Sequence, residues 1–574
     1  MGDDWPPVVF SMSAPGLARH FEQLASAPSG VAQLRELILA LAVRGKLVPQ
    51  QDADGYASRL LEESRAQVRA KMQEGKAKKE KPAADVDAAE TPFEIPDTWQ
   101  WCRLTDTGEF INGLAFKPTD WAPDGLPIIR IQNLSGRNQE FNRTKGSFHP
   151  SVIVRSGDIL VSWSATLDAF IWHGETGVLN QHIFRVEPAP CVDRGFLYWL
   201  LKWAIRDLAE SEHAHGLVMS HINRGPFLAK PIALPPLAEQ ARIVARVDEL
   251  MQLCDALEAK GRLEAQQHAR LLETLLVTLT DSTTPEELAA NWQRVAEHFD
   301  LLLDRPDAVD ALEQTILQLS VRGLLVPQDE ADEPARVVLE RINSHRRRAQ
   351  KQSPASPSES DPAEPPYVLP SQWAWARLGD LVENMGSGWS PACEDGERSD
   401  PARWAVLRTT SVQVMEYRAH EHKAIPLKLA PRPEIEVKPG DILVTRAGPM
   451  NRVGISCWVD RTPARLMLSD KIVRFHPVSD ELCPAFVVLA LNAGWTRELL
   501  EAAKTGMAAS QVNVSQSDLK SLWVPVCSRE EQDRIVARVT DLRHLFADLR
   551  QSLGCSSARL AAIAEALIDQ ALAT

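Results

Sequence analysis

The chain states one order of phrases twice, and a duplication on this scale fixes the architecture before any local reading does. Residues 34–50 read LRELILALAVRGKLVPQ and residues 312–328 read LEQTILQLSVRGLLVPQ. Each is followed by W-x-W-x-R-L (Trp99, Trp101, Arg103, Leu104; Trp373, Trp375, Arg377, Leu378), by GDILV at 157–161 and 440–444, and by EQARIVARV at 239–247 or EQDRIVARV at 531–539. The offset between copies is 278 from Leu34 to Leu312, 274 from Trp99 to Trp373, 283 from Gly157 to Gly440 and 292 from Glu239 to Glu531. A frame is therefore copied and its filling is not: residues 128–148 (IIRIQNLSGRNQEFNRTKGSF) and 406–426 (VLRTTSVQVMEYRAHEHKAIP) share little. That pattern suggests one task performed on two different targets.

Composition sets the outer bounds. At 574 residues the chain needs several domains, and 44% hydrophobic with 24% charged residues is ordinary for a soluble globular protein. The opening MGDDWPPVVFSMSAPG has neither a basic nor an apolar targeting region, and no run of about 18 apolar residues occurs, so a cytoplasmic protein outside the membrane is expected. The 8 cysteines include no C-x-x-C pair, which argues against a zinc ribbon and a disulfide framework. The net charge of −14 lacks the basic footprint usual for DNA binders. Residues 93–233 hold 13 Lys and Arg against 15 Asp and Glu, and residues 367–527 hold 18 against 18, so the acidity sits mainly in helices and linkers.

Periodicity supplies the helices. After each EQ phrase apolar residues recur in alternating steps of four and three: Ile243, Val247, Leu250, Cys254, Leu257, then Leu271 and Leu275; and Ile535, Val539, Leu542, Phe546, Leu549, Leu553, then Leu560, Ile563 and Leu567. Two heptad seams of matching phase predict two long paired helices, each roughly 60 Å. Gly45 with Pro49, and Gly323 with Pro327, stop the two shorter repeated helices. Residues 76–91 and 346–366 read as flexible linkers with basic starts. Short β-rich runs mixed with helices fill the remainder. The expected organisation is a helical segment and linker (1–92), a first domain (93–235), a long helix (236–282), a second helical segment and linker (283–366), a second domain (367–527) and a last long helix (528–574). The expected class is α+β (mixed α/β), internally duplicated, with two globular domains separated by two long antiparallel coiled-coil-like helices.

The order W-x-W-x-R-L, GDILV, G-x-x-x-S-x-(I/V)-N at 216–223 and 506–513, LPPLAEQ at 234–240 and the long helix, with LAVRGKLVPQ ahead of it, resembles the specificity subunits of type I restriction-modification systems. The resemblance runs from about Leu34 to the end, and departs at 524–532, where VPVCSREEQ replaces LPPLAEQ. It implies a non-catalytic subunit in which each target recognition domain reads half of a bipartite site in double-stranded DNA while the helices set the spacer. It also implies docking of two methylation subunits, which methylate adenine N6 with S-adenosylmethionine, and, where present, of two restriction subunits using ATP and Mg. This chain itself is expected to bind no cofactor and no metal. The residues agree, since neither N-P-P-(F/Y/W), D-P-P-(F/Y/W) nor G-x-x-x-x-G-K-(S/T) occurs.

Candidate base readers follow from side-chain chemistry and position. In the first domain they are Arg130, Gln132, Asn133, Arg137, Asn138 and Gln139, then Ser162 and Trp163 after GDILV, then Asn180, Gln181 and His182. In the second they are Arg408, Thr409 and Thr410, then Arg446, Asn451 and Arg452, then Asp470 and Lys471. Arg pairs with guanine edges and Asn or Gln with adenine. Two other classes stay open: a protein-binding scaffold, which the acidic charge favours, and an enzyme built on His182, His213, His215 and His221, against which the absence of a second copy counts.

Overall fold

The computed structural model describes residues 21, 24–73, 84–213, 223–282, 284–349, 365–394 and 396–573. The basic run 76–81, most of the first G-x-x-x-S phrase (216–222), His215 and His221 lie outside them. The chain forms two compact units, residues 1–264 with 556–574, and residues 265–555.

In the first unit, helix α1 (Gly30–Val43) buries Leu34, Leu37, Ile38 and Leu41 and stops at Gly45. Glycine is required there twice over: its φ is 70°, and a Cβ would meet Pro96 Cγ at 2.5 Å. Helix α2 (Ala57–Gln73) follows. Strand β1 (Gln100–Arg103) pairs antiparallel with β8 (Pro231–Leu234), Trp101 opposite Ala233, which ties the two ends of the domain together. Between them lies an antiparallel sheet in the order β2 (Gly108–Asn112), β7 (Ile183–Pro188), β4 (Ile159–Ser162), β5 (Asp168–Ile171). A second sheet sets β3 (Leu126–Ile129) parallel to β6 (Gly177–Leu179), with Arg143–Thr144 and Ile153–Val154 at its edges. Helix α3 (Arg194–His213) covers the first sheet, so Ile159, Leu160 and Val161 of GDILV are all buried; a strand covered on both faces reads as a continuous apolar run rather than an alternating one. Helix α4 (Leu237–Thr280) leaves β8 across two prolines.

The second unit repeats the main strands of this plan and adds short ones. Helices α5 (Pro306–Val321) and α6 (Ala335–Ala349) precede β9 (Ala374–Arg377), which pairs with β16 (Trp523–Val526), Trp375 opposite Pro525. The four-stranded sheet runs β10 (Val382–Ser387), β15 (Ile472–Pro477), β12 (Ile442–Thr445), β13 (Ser456–Trp458), and β11 (Ala405–Leu407) lies parallel to β14 (Leu466–Met467). Helix α7 (Pro484–Asn492) packs on β13, and α8 (Arg529–Ala573) ends the described chain.

The long helices correct the predicted seam. Ile243, Val247, Leu250 and Cys254 are buried, but no residue between 255 and 271 is, and the seam resumes at Leu272, Leu276 and Leu279 while Leu271 is 45% exposed. In α8 Leu542, Phe546, Leu549 and Leu553 lie on one core as the period predicts, full burial resumes only at Ala564, and Leu560 and Ile563 are exposed. Cys254 to Leu272 and Phe546 to Ala564 are each 18 residues, five turns of a straight helix. Extrapolating a 3.5-residue period slips by about half a residue, roughly 50°, over that distance because the helix keeps its own 3.6. In the first unit, Leu567, Ile568, Ala571 and Leu572 pack on the core that holds Ile243 to Cys254; in the second, Leu272, Leu276 and Leu279 share a core with Phe546. Within each unit the start of one long helix thus shares a core with the end of the other, the antiparallel order.

Candidate nucleic-acid interface

Three chain segments meet at one edge of each α/β domain, and the backbone brings equivalent positions there in both. The turn before GDILV places Gly157 at φ 91° and Gly440 at φ 92°, and the following aspartate closes it, Asp158 accepting from the Arg155 amide and Asp441 from the Lys438 amide at 2.9 Å in both. Strand β4 then delivers Trp163, whose amide donates to the His182 carbonyl at 3.1 Å; β12 delivers Arg446, whose amide donates to the Lys471 carbonyl at 2.8 Å. The strand β3 ends at Arg130 beside Asn180, whose amide donates to the Ile129 carbonyl at 3.1 Å, and β11 ends at Arg408. Equivalent backbone positions therefore carry Arg130, Trp163, Gln181 and His182 in one domain and Arg408, Arg446, Asp470 and Lys471 in the other.

Most of these side chains have donors to spare. Among the described residues, Nε of Arg130, Arg408 and Arg446, Nε1 of Trp163 and Nδ1 of His182 are buried without a hydrogen-bond partner, a state that proteins rarely leave unanswered. The Trp163 ring lies 4.6 Å from the His182 imidazole, edge-on, and 5.9 Å from Phe184, stacked. His182 sits at φ 70°, an uncommon conformation for a side-chain-bearing residue. Gln181, Arg137, Gln139, Asn451, Asp470 and Lys471 are exposed, and Gln132 and Thr409 are half-buried.

Other nominated residues have structural tasks instead. Asn133 accepts from the Arg130 amide through Oδ1 and donates through Nδ2 to the carbonyls of Asn138 (3.0 Å) and Glu140 (2.9 Å), closing the loop it sits in. Asn138 accepts from the Glu140 amide at 2.8 Å, and Asn180 from the Gln181 amide at 2.9 Å. Ser162 is fully buried and donates to the Ser164 carbonyl, so it presents no surface to a ligand. Arg452 points inward, donating to Gln413 Oε1 and to the carbonyls of Thr409 and Val412 at 2.8–3.0 Å; burial lowers its pKa. Thr410 donates to Glu421 at 2.7 Å.

The structure adds residues that side-chain chemistry alone did not nominate. The second G-x-x-x-S phrase folds as a hairpin, Thr505–Ala508 with Gln511–Asn513, against Ala447–Gly448, and the Val514 amide donates to the Arg446 carbonyl at 2.9 Å. Gln511 and Asn513 are exposed beside Arg446; the repetition of the phrase was the signal available. Trp389 is a second case, with the Arg432 guanidinium 4.2 Å above its ring. Among the described residues no group of three His, Cys, Asp or Glu is placed to hold a metal, and no helix is long and apolar enough to cross a membrane.

The two edges thus carry different side chains on loops that differ between copies, held by a frame that does not. A family model described as the type I restriction modification DNA specificity domain matches residues 96–267. The chain is 38% identical over 566 residues to the type I restriction enzyme EcoEI specificity subunit of Escherichia coli, covering 95% of this chain and 94% of that one. It is 30% identical over 571 residues to the EcoAI specificity subunit of the same organism, again covering 95% and 94%. A chain solved in work on complex assembly and conformational transition of the type I R-M system shares the fold, with a TM-score of 0.51 at 18% identity over 84% of this chain and 99% of that one. The chain belongs to the specificity subunits of type I restriction enzymes. These are non-catalytic, and the chemistry of the system lies in other subunits.

Proposed function

We propose that each recognition domain reads one part of a two-part sequence in duplex DNA, and that the helical frame holds the methylation subunits and sets the spacer. What supports this reading is the pair of equivalent edges with different side chains: Arg130, Trp163 and His182, each with a buried nitrogen that has no partner, in the first domain, and in the second Arg446 with such a nitrogen, the exposed Lys471, and Arg408, whose guanidinium also lies 3.8 Å from Glu421. Arginine in a major groove reads guanine O6 and N7, and each good pair discriminates by about 1–3 kcal/mol. One domain reaches few base pairs, so two are needed for useful selectivity, with half-site centres roughly one helical turn apart, about 34–36 Å. The partners would be two methylation subunits using S-adenosylmethionine on adenine N6 and, where present, restriction subunits using ATP and Mg.

The test is co-expression with the cognate methylation subunit in a methylation-free host, followed by genome-wide mapping of N6-methyladenine. A single two-part motif that appears only when this chain is present is expected. A stable complex that modifies nothing specifically would favour a protein-binding scaffold, the reading supported by the net charge of −14.

A further inference from the structure

The first turn of each long helix does more than start it. Glu239 is fully buried, and its carboxylate accepts from Trp99 Nε1 at 3.0 Å and from Gln50 Nε2 at 2.6 Å. Gln240, also fully buried, accepts from the Asp193 amide at 2.7 Å and donates to the carbonyls of Cys191 and Pro235 at 2.9 and 2.8 Å. Arg242 forks onto Asp54 at 2.9 and 2.6 Å. Three side chains within four residues thus bind the loop after α1, the strand that opens the recognition domain, and the start of α3.

The second copy reproduces every contact despite its departing sequence. Glu531 accepts from Trp373 Nε1 at 2.9 Å and from Gln328 Nε2 at 2.5 Å. Gln532 accepts from the Cys483 amide at 2.8 Å and donates to the Cys527 and Glu481 carbonyls at 3.0 and 3.2 Å. Arg534 forks onto Asp332. Burial pushes both glutamate carboxyls above the usual range, while the indole and amide donors pull them back. Simple packing would not demand the same polar arrangement twice, because apolar residues of similar volume stabilise a buried contact as well or better.

We propose that this E-Q-x-R turn is a positioning junction: Glu239, Gln240 and Arg242, and Glu531, Gln532 and Arg534, fix the tilt of each recognition domain on its long helix and so determine how strictly the spacer length is read. The lever is visible in the first domain. Arg194, next to the Asp193 that Gln240 holds, donates to the Gly157 carbonyl at 2.9 Å, and the strand that starts there ends at Trp163, about 20 Å away at ~3.3 Å per residue. A tilt of roughly 10° over that lever moves Trp163 by about 3.5 Å, close to the ~3.4 Å rise of one base pair. Glu239 and Glu531 touch no DNA in this scheme; they act through the domains they orient.

The inference rests on the two-part reading proposed above, and its test separates the two. N6-methyladenine is mapped for the full complex carrying wild-type chain, Glu531→Ala, Glu531→Gln or Trp373→Phe. Glu531→Ala and Trp373→Phe should keep the half-site bases but modify sites whose spacer is one base pair longer or shorter, about tenfold more than wild type does. Glu531→Gln, which can still accept from the indole and donate to a flipped Gln328, should restore a single spacing. Lower modification at an unchanged single spacing in both disrupting variants would overturn the inference, as would altered half-site bases. If Glu531→Ala yields no complex, Trp373→Phe decides alone, since it keeps an aromatic ring and the carboxylate in place while removing the indole donor. A wild-type map without a two-part motif would instead overturn the reading beneath it.

Discussion

The two halves of the frame agree at the buried junction and differ where the short repeated helix meets the long one, and there the difference is an inversion. In the first half Arg35 on α1 pairs with Asp255 at 2.6 Å and Glu258 at 3.0 Å on α4. In the second, Glu313 on α5 pairs with Arg543 at 2.8 Å and with Arg550 on α8. Arg35 and Glu313 are equivalent by the 278-residue offset, and Glu258 and Arg550 by the 292-residue offset. The contact persists while its polarity reverses, whereas the Trp–Glu–Gln junction keeps every donor and acceptor. Geometry is retained at the junction, where burial makes an unmatched polar atom costly; at the helix contact, where the carboxylates are exposed in the first half and Glu313 is buried in the second, charge has changed in pairs.

The comparison can be broken at several points. The largest effect should come from Trp373→Ala, which removes a buried indole and strands Glu531, and should destabilise the second unit by about 3–5 kcal/mol in urea denaturation. Trp99→Ala should cost the first unit a similar amount, and a marked asymmetry would mean that the junctions are copies in appearance only. Glu313→Arg comes next. Its side chain is 11% exposed and would face Arg543 and Arg550, so it should destabilise more than Arg35→Glu, whose partners Asp255 and Glu258 are 71% and 51% exposed. For that exposed pair about 0.5–1 kcal/mol is expected, recovered in part when Arg35→Glu is combined with Glu258→Arg, since Asp255 still faces the new carboxylate. Failure of that combination to recover stability would show that α1 docks through its apolar face alone.

The smallest effect is one of pH. Burial raises the Glu313 carboxyl, but the guanidinium groups of Arg550 and Arg543 outweigh it and hold the pKa below the usual value. A lowered folded pKa gives stability that is present above the ordinary carboxylate range and is lost as pH falls through the lowered value. Glu313→Gln should therefore flatten the acid limb of the stability curve, whereas Glu239→Gln should steepen it, because the parent carboxyl is shifted upward and gains stability as pH falls.

The frame is legible in the sequence because its repeated phrases bond to one another: the tryptophan of W-x-W-x-R-L, the glutamine of LVPQ and the glutamate of EQ are a single hydrogen-bonded unit. Sequence shows the words, and the fold shows that they are one sentence. The recurrence also extends upstream, where Phe21 and Leu24 correspond to Phe299 and Leu302 at the same offset of 278, but identity there is too sparse to align by eye. The binding edge is legible only in part. Asn133, Asn138 and Arg452 have the same chemistry as a base reader, and nothing in composition says that their donors and acceptors are already committed to neighbouring backbone. An unpaired buried Nε marks Arg130, Arg408 and Arg446 but equally Arg452, so it is their place at the ends of β3, β11 and β12 that sets the first three apart. The seam of the long helices follows a 3.6 period that heptad counting loses over five turns.

The central claim is that equivalent edges read different half-sites independently. It is tested most directly by comparing the N6-methyladenine motif of the complex carrying Arg446→Ala with that of Trp163→Ala and wild type. The account predicts that each substitution relaxes one half of the motif and leaves the other half and the spacing intact, with the two variants affecting opposite halves. Relaxation of the same half by both, or an unchanged motif in both, would contradict it.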